Sequence, residues 1–185
     1  MYKVVTAVTT EPVTTAEAKL HCKVDHSEDD TLIATLITAA REFAEHRTGR
    51  AFAAQTLEMA LDEFPDDSDE DWIDLDLPPV ASVTHIKYTD TSGVEQTVSS
   101  GDYALSLYGE ARRVDPAYSV TWPLTQDIPN AVRIRYVTGY TALPKAAKQG
   151  LLLVICHFYE KRGPSTDDIP PGALTLLDTI KVWSK

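Results

Sequence analysis

The chain lacks most of the features that would announce a chemistry. It holds two cysteines in 185 residues, Cys22 and Cys156, too few for a disulfide framework. Both lie in apolar-periodic segments, so they are expected as two buried thiols in a reducing compartment. The eight glycines never come closer together than Gly101 and Gly109, which excludes both GxGxxG and Walker-type phosphate loops. The five histidines include no HExxH, there is no CxxC, and no serine sits in a GxSxG elbow. Cys22 and His26 fall one helical turn apart, but two ligands do not make a structural zinc site. No motif supports an enzyme, and no catalytic, cofactor-binding or metal residue is assigned. The longest wholly apolar run, Leu151 to Cys156, is far short of the ~20 residues of a membrane span. The opening MYKVVTAVTTEP has no run suited to a signal peptide. A soluble protein made in the cytoplasm, with no membrane partner, is expected.

Basic charge is also scarce. Lys and Arg total 17 against 28 Asp and Glu, a net charge of −11, which excludes gripping nucleic acid by bulk charge. Apolar residues, at 43%, and charged residues, at 24%, are sufficient for a packed core. The length fits one domain, or a small domain with a sizeable insertion. Nine of the acids lie between Asp62 and Asp76 with no base among them, while the other 19 nearly balance the 17 bases. Asp67-x-Asp69-x-Asp71 looks like the start of a calcium loop. Trp72, however, stands where that loop needs glycine, and Pro78 where it needs a bidentate glutamate. Asp66, Asp67, Asp69, Glu70 and Asp71 are therefore read as an acidic surface, solvated or facing a partner. A metal- or ligand-dependent module using the 66–76 loop is the alternative function; a monomeric β-rich binding module is a third.

Hydrophobic periodicity places the elements. Thr14-Thr15-Ala16-Glu17 is a capping box, opening a short helix to about Val24 with Ala16 and Leu20 inward. Ser27 is placed to cap a second helix whose first turn holds Glu28, Asp29 and Asp30. Leu32, Ile33, Leu36, Ile37, Ala40, Phe43 and Ala44 form its apolar stripe, and Gly49 suits a left-handed stop. Alternation then takes over. Leu57, Met59 and Leu61 share one face, as do Ile73, Leu75 and Leu77. Val83 to Thr89 and Val94 to Val98 flank the hairpin signature Asp90-Thr91-Ser92-Gly93. Tyr103 to Leu107 and Ala131 to Val137 add strands. Helix returns at Pro144 and runs to Arg162, apolar on all sides over Leu151 to Cys156, as befits a core helix or one covered by a partner. A last amphipathic helix spans about Gly172 to Trp183, with Leu174, Leu177, Ile180 and Trp183 on its apolar edge. The fold class is α+β: helical segments 1–54 and 141–185 enclose an antiparallel β-rich insertion, 55–140.

Two charge placements stand out. Lys145 and Lys148 occupy the first turn of their helix, where the dipole disfavours cations. Arg133 and Arg135 share one face of a strand whose other face carries Val132, Ile134 and Tyr136. The plain expectation pairs the arginines with Asp74 and Asp76 and leaves the lysines solvated. A sharper one has an acidic loop meeting a basic patch on a neighbouring subunit, so that high salt or charge reversal at Lys145 or Lys148 weakens assembly.

Several segments, in order, resemble the head–tail connector (adaptor, or head-completion) proteins of tailed bacteriophages. They are Glu11-Pro12-Val13-Thr14-Thr15-Ala16-Glu17-Ala18-Lys19 with Val24-Asp25, Ala39-Ala40-Arg41-Glu42-Phe43-Ala44-Glu45 with Thr48-Gly49-Arg50, and Leu77-Pro78-Pro79-Val80-Ala81-Ser82-Val83. Arg135-Tyr136-Val137-Thr138-Gly139-Tyr140 and Lys148-Gln149-Gly150-Leu151-Leu152 with His157-Phe158-Tyr159-Glu160 complete the set. The resemblance implies a structural virion protein without catalytic residues or cofactors, assembled in the host cytoplasm at the head–tail junction. It implies a homo-oligomeric ring, twelvefold in the virion, that docks under the portal protein and offers tail-side or head-closure proteins a platform. DNA would pass through the channel without sequence-specific binding. In this setting the helical core builds the ring, and Lys145, Lys148, Leu151, Leu152, Tyr159, Leu174, Leu177, Ile180 and Trp183 are its candidate interface.

Overall fold

Thr14 opens the first helix as its capping box predicts. Its hydroxyl accepts from the Glu17 amide at 3.2 Å, and its own amide donates to the Glu17 carboxylate at 3.0 Å. The computed structural model describes residues 2–66, 71–106, 108, 112–162 and 169–182, and those residues form an α+β chain. One unit comprises Val8–Ala53 and Tyr140–Lys185; the other comprises Met1–Ala7 and Ala54–Gly139.

The first unit is helical. In α1 (Thr15–Cys22) the buried residue is Ala18, whereas Ala16 is exposed and Leu20 is 82% exposed, contrary to the expected inward pair. Two turns hold too few apolar positions for periodicity to fix a face, so packing decides it. Helix α2 (Asp30–Thr48) starts later than a Ser27 cap would place it. The Ser27 carbonyl only accepts the Asp30 amide in a turn. Asp29 takes the cap position without a side-chain cap bond, because its carboxylate is held elsewhere, by Tyr159 and Arg162. Gly49 ends α2 in the left-handed region at φ 68°, as expected.

Pro144 stands at the N-cap of α3 (Lys145–Glu160) rather than inside it. Helix α4 (Pro171–Asp178) stops short of the expected span, and Trp183 lies outside the described residues. Beyond α4 the chain turns back, and the Val182 amide donates to the Thr48 carbonyl at 2.8 Å. The core joins Ile33, Leu36, Ile37, Ala40 and Ala44 of α2 to Leu151, Val154, Ile155 and Phe158 of α3 and Leu177 of α4. The α3 segment that is apolar all round is thus a core helix. The two cysteines are not free thiols: Cys22 and Cys156 form a disulfide, Cα atoms 5.4 Å apart. Both residues are half-buried, and the packing of α1 on α3 brings together positions that spacing could not connect.

The second unit is antiparallel sheet. Strands β1 (Tyr2–Thr6), β2 (Gln55–Leu61), β8 (Val132–Thr138), β4 (Val80–Thr89) and β5 (Glu95–Thr97) lie side by side in that order. A smaller sheet runs β3 (Ile73–Asp74), β7 (Arg113–Pro116), β6 (Tyr103–Leu105). Strands β1 and β7 have no counterpart in the sequence reading. The expected hairpin is present: Lys87, Tyr88 and Thr89 pair with Thr97, Gln96 and Glu95. At its turn the Asp90 carboxylate accepts the Ser92 and Val94 amides at 2.9 and 3.0 Å. Leu57, Met59, Ile73, Leu75, Ile86, Ile134 and Tyr136 meet in one apolar core. The alternation of β8 is realised in full, with Val132, Ile134 and Tyr136 buried and Arg133 and Arg135 half-exposed.

Candidate functional site

The outward face of β8 carries two arginines, Arg135 paired with the residue opposite it and Arg133 with a residue one strand further away. Arg135 sits opposite Glu58 and donates to its carboxylate at 2.6 Å, with Lys3 of β1 on the other oxygen at 2.6 Å. These contacts, led by the Lys3 hydrogen bond, hold the Glu58 carboxyl below its usual range. Arg133 pairs with Glu95, which also accepts from Lys87. The expected partners were Asp74 and Asp76. Asp74 instead lies in the other sheet, opposite Arg113 and 3.5 Å from Arg112.

On the helical unit, Lys145 is exposed. Lys148 is not solvated as expected: its ammonium binds the Glu17 carboxylate of α1 at 2.6 Å. With the Thr14 amide as a further donor, this contact lowers the Glu17 carboxyl to about 2. The anion of α1 therefore offsets the cation that the α3 dipole disfavours. Leu151 and Leu177 are fully buried in the core of the chain itself, so neither presents a surface. Leu152, Leu174 and Ile180 pack half-buried at its margin. Tyr159 donates its hydroxyl to Asp29 at 2.6 Å, and the Arg162 guanidinium lies 5.4 Å from the centre of its ring. The hydroxyl's hydrogen bond lowers the Asp29 carboxyl and raises the Tyr159 phenol.

Of the acidic candidates, Asp66 and Asp71 are exposed; Asp67, Asp69 and Glu70 lie outside the described residues. Asp66 and Asp71 edge a cavity of about 600 Å³ that also takes in Glu63, Phe64 and Trp122. Trp122 stacks on Phe64 at 4.9 Å and donates to the Asp71 carbonyl at 2.6 Å. Among the described residues, no three His, Cys, Asp or Glu side chains are grouped to hold a metal ion. Nor is any helix among them long and apolar enough to cross a membrane.

One buried network escaped the sequence reading. Arg41 donates to Glu11 at 2.8 Å and to Glu45 at 2.7 Å, and Glu45 accepts the Phe52 amide at 2.8 Å. Burial pushes the Glu45 carboxyl up. The four-residue spacing of Arg41 and Glu45 was the available signal; Glu11, thirty residues earlier, had none. Glu11, Arg41 and Glu45 lie in the segments that carry the family resemblance, where they make structural contacts.

The architecture is found in chains of gene transfer agent particles. A chain in the virion of a native gene transfer agent particle matches the whole of this chain and 97% of its own, with TM-score 0.81 and 26% identity. Chains in the neck of the empty particle, computed with C6 symmetry, and of the native particle, computed with C12 symmetry, give TM-scores of 0.81 and 0.78. Their identities are 24% and 23%, and each match covers 100% of this chain and 97% of the other. The fold defines a structural component of a phage-like particle. Residues 13–108 match the phage gp6-like head-tail connector protein family. The chain belongs to that family, and it is a non-enzymatic virion protein of the head–tail junction. No curated protein matches it.

Proposed function

We propose that the protein forms a homo-oligomeric ring under the portal, twelvefold in the virion, that extends the DNA channel and presents a platform for tail attachment. The observation carrying this reading is end-to-end likeness to a chain of the gene transfer agent virion, together with the C12 symmetry of the native neck to which a similar chain belongs. The helical segments form the body of the ring, and the β-rich insertion is an outward or tail-facing elaboration. A ring joins copies head to tail, so each copy needs two different complementary faces. Lys145, Leu152, Tyr159, Leu174 and Ile180 supply side chains for them. The net charge of −11 suits a conduit that must let DNA go, since cationic walls would hold the phosphates. Subunits that are monomeric before assembly are compatible with this reading.

The test is to mix the protein with its cognate portal and follow sedimentation and electron microscopy. A portal-bound ring is expected, and a protein that stays monomeric beside the portal overturns the reading. Lys145→Glu is the clean probe of the charged face and should weaken assembly. Lys148→Glu is not, because it also breaks the bond to Glu17.

A further inference from the structure

Helix α1 is held differently from the rest of its unit. Helices α2, α3 and α4 interlock through fully buried side chains, whereas α1 contributes Ala18 alone as a buried residue. Leu20 is 82% exposed. Beside the packing of the flanking Val13 and Val24, three tethers among the described residues hold α1: Glu17 to Lys148 at 2.6 Å, Lys19 to Asp30 at 2.6 Å, and the Cys22–Cys156 disulfide. The first two are partly exposed ion pairs, which contribute little in water. The third is covalent, and it joins the last turn of α1 to α3. We propose that the cysteine pair is a redox latch on α1: with both thiols free, α1 opens locally while α2–α4 stay packed, and oxidation clamps it shut.

The chemistry is thiol–disulfide exchange. The thiolate of one cysteine attacks a small-molecule disulfide such as glutathione disulfide, displacing one glutathione thiolate and leaving a mixed disulfide. The second cysteine thiolate then attacks the protein sulfur of that mixed disulfide and expels the second glutathione. The protein loses two electrons and two protons, and the glutathione disulfide is reduced to two thiols. Both cysteines are half-buried rather than sealed, which gives a small reagent access. Such a latch lets α1 adjust while the chain is kept reduced during assembly and fixes it once the particle meets an oxidising medium.

Native-state hydrogen exchange on the full chain tests this, with dithiothreitol or glutathione disulfide setting the thiol state and mass spectrometry counting free thiols. In the reduced chain, the amides of 18–24 should exchange at least tenfold faster than those of 33–44, through an opening that does not unfold the core. Oxidation should remove two thiols and slow the amides of 18–24 at least tenfold. Cys22→Ser and Cys156→Ser should each behave as the reduced chain in either buffer. Lys148→Gln should speed exchange of 18–24 further in the reduced chain and leave the oxidised chain within twofold. The proposal is overturned if glutathione disulfide leaves both thiols free, or if the amides of 18–24 and 33–44 exchange together in the reduced protein.

Discussion

The helical unit and the sheet unit each bury an apolar core, but they spend their charges differently. In the helical unit, charges join elements far apart in sequence: Glu11 to Arg41, Glu17 to Lys148, Arg47 to Asp178 at 2.7 Å. In the sheet unit they line one sheet face, where register sets Glu58 opposite Arg135 and Glu95 reaches Arg133 from β5, beyond the intervening β4. The first kind of pairing orients a helix; the second fills the outward side of a sheet whose inward side already holds the strands. Losing a charge should therefore matter most at the buried Arg41–Glu45 pair of the helical unit, and losing a core side chain should matter in both.

The largest effect tests the shared part of that comparison. Leu151→Ala and Ile134→Ala each truncate a fully buried side chain, and each should cost about 2–5 kcal/mol in denaturant unfolding. A loss under about 1 kcal/mol at either site would show a core softer than its burial implies.

Next is the close approach of α3 to α4. A Cβ at Gly150 would lie 3.1 Å from the Ala173 carbonyl oxygen and 3.2 Å from Leu176 and Leu177 side-chain atoms. Overpacking costs about 1–3 kcal/mol, against about 1 kcal/mol of helix propensity gained over glycine. Gly150→Ala should therefore lower the melting temperature, whereas the same change at Gly172, where nothing lies within 4 Å, should not.

Smaller still is Glu58→Ala on the sheet face. Its partners Lys3 and Arg135 are 69% and 36% exposed, so a loss of about 0.2–1 kcal/mol is expected, shrinking in high salt. The smallest effect is a dependence on pH. Glu17 has its carboxyl lowered from 4.5 to about 2 in the folded chain, so its contribution is complete above about pH 4.5 and lost as pH falls toward 2. Acid titration followed by circular dichroism should show that decline, and Lys148→Gln should flatten it.

Particular residues show what could be read without coordinates. The Thr14–Glu17 capping box, the Gly49 stop, the stripe of α2, the Asp90 turn and the two faces of β8 are local patterns, and each appears where its spacing placed it. Errors fell where a neighbour had the deciding vote. The buried face of α1 went to Ala18 because a two-turn helix cannot choose its own inside. The Ser27 side chain does not cap α2, and Asp29 at the cap position has its carboxylate held by Tyr159 and Arg162. Of the candidate interface, Leu151 and Leu177 are core, because an apolar stripe looks the same whether it packs on its own chain or on another.

The amino-acid order by itself determined the class of the protein: α+β, acidic, with connector-like segments whose backbone turns and helix starts are written over three or four residues. Tertiary structure alone decided the pairings, Cys22 with Cys156, Glu11 with Arg41, Lys148 with Glu17, Arg135 with Glu58. Each joins positions 30 to 134 residues apart. Their proximity is set by how helices and strands pack, and the spacing of side chains along the chain carries no record of that.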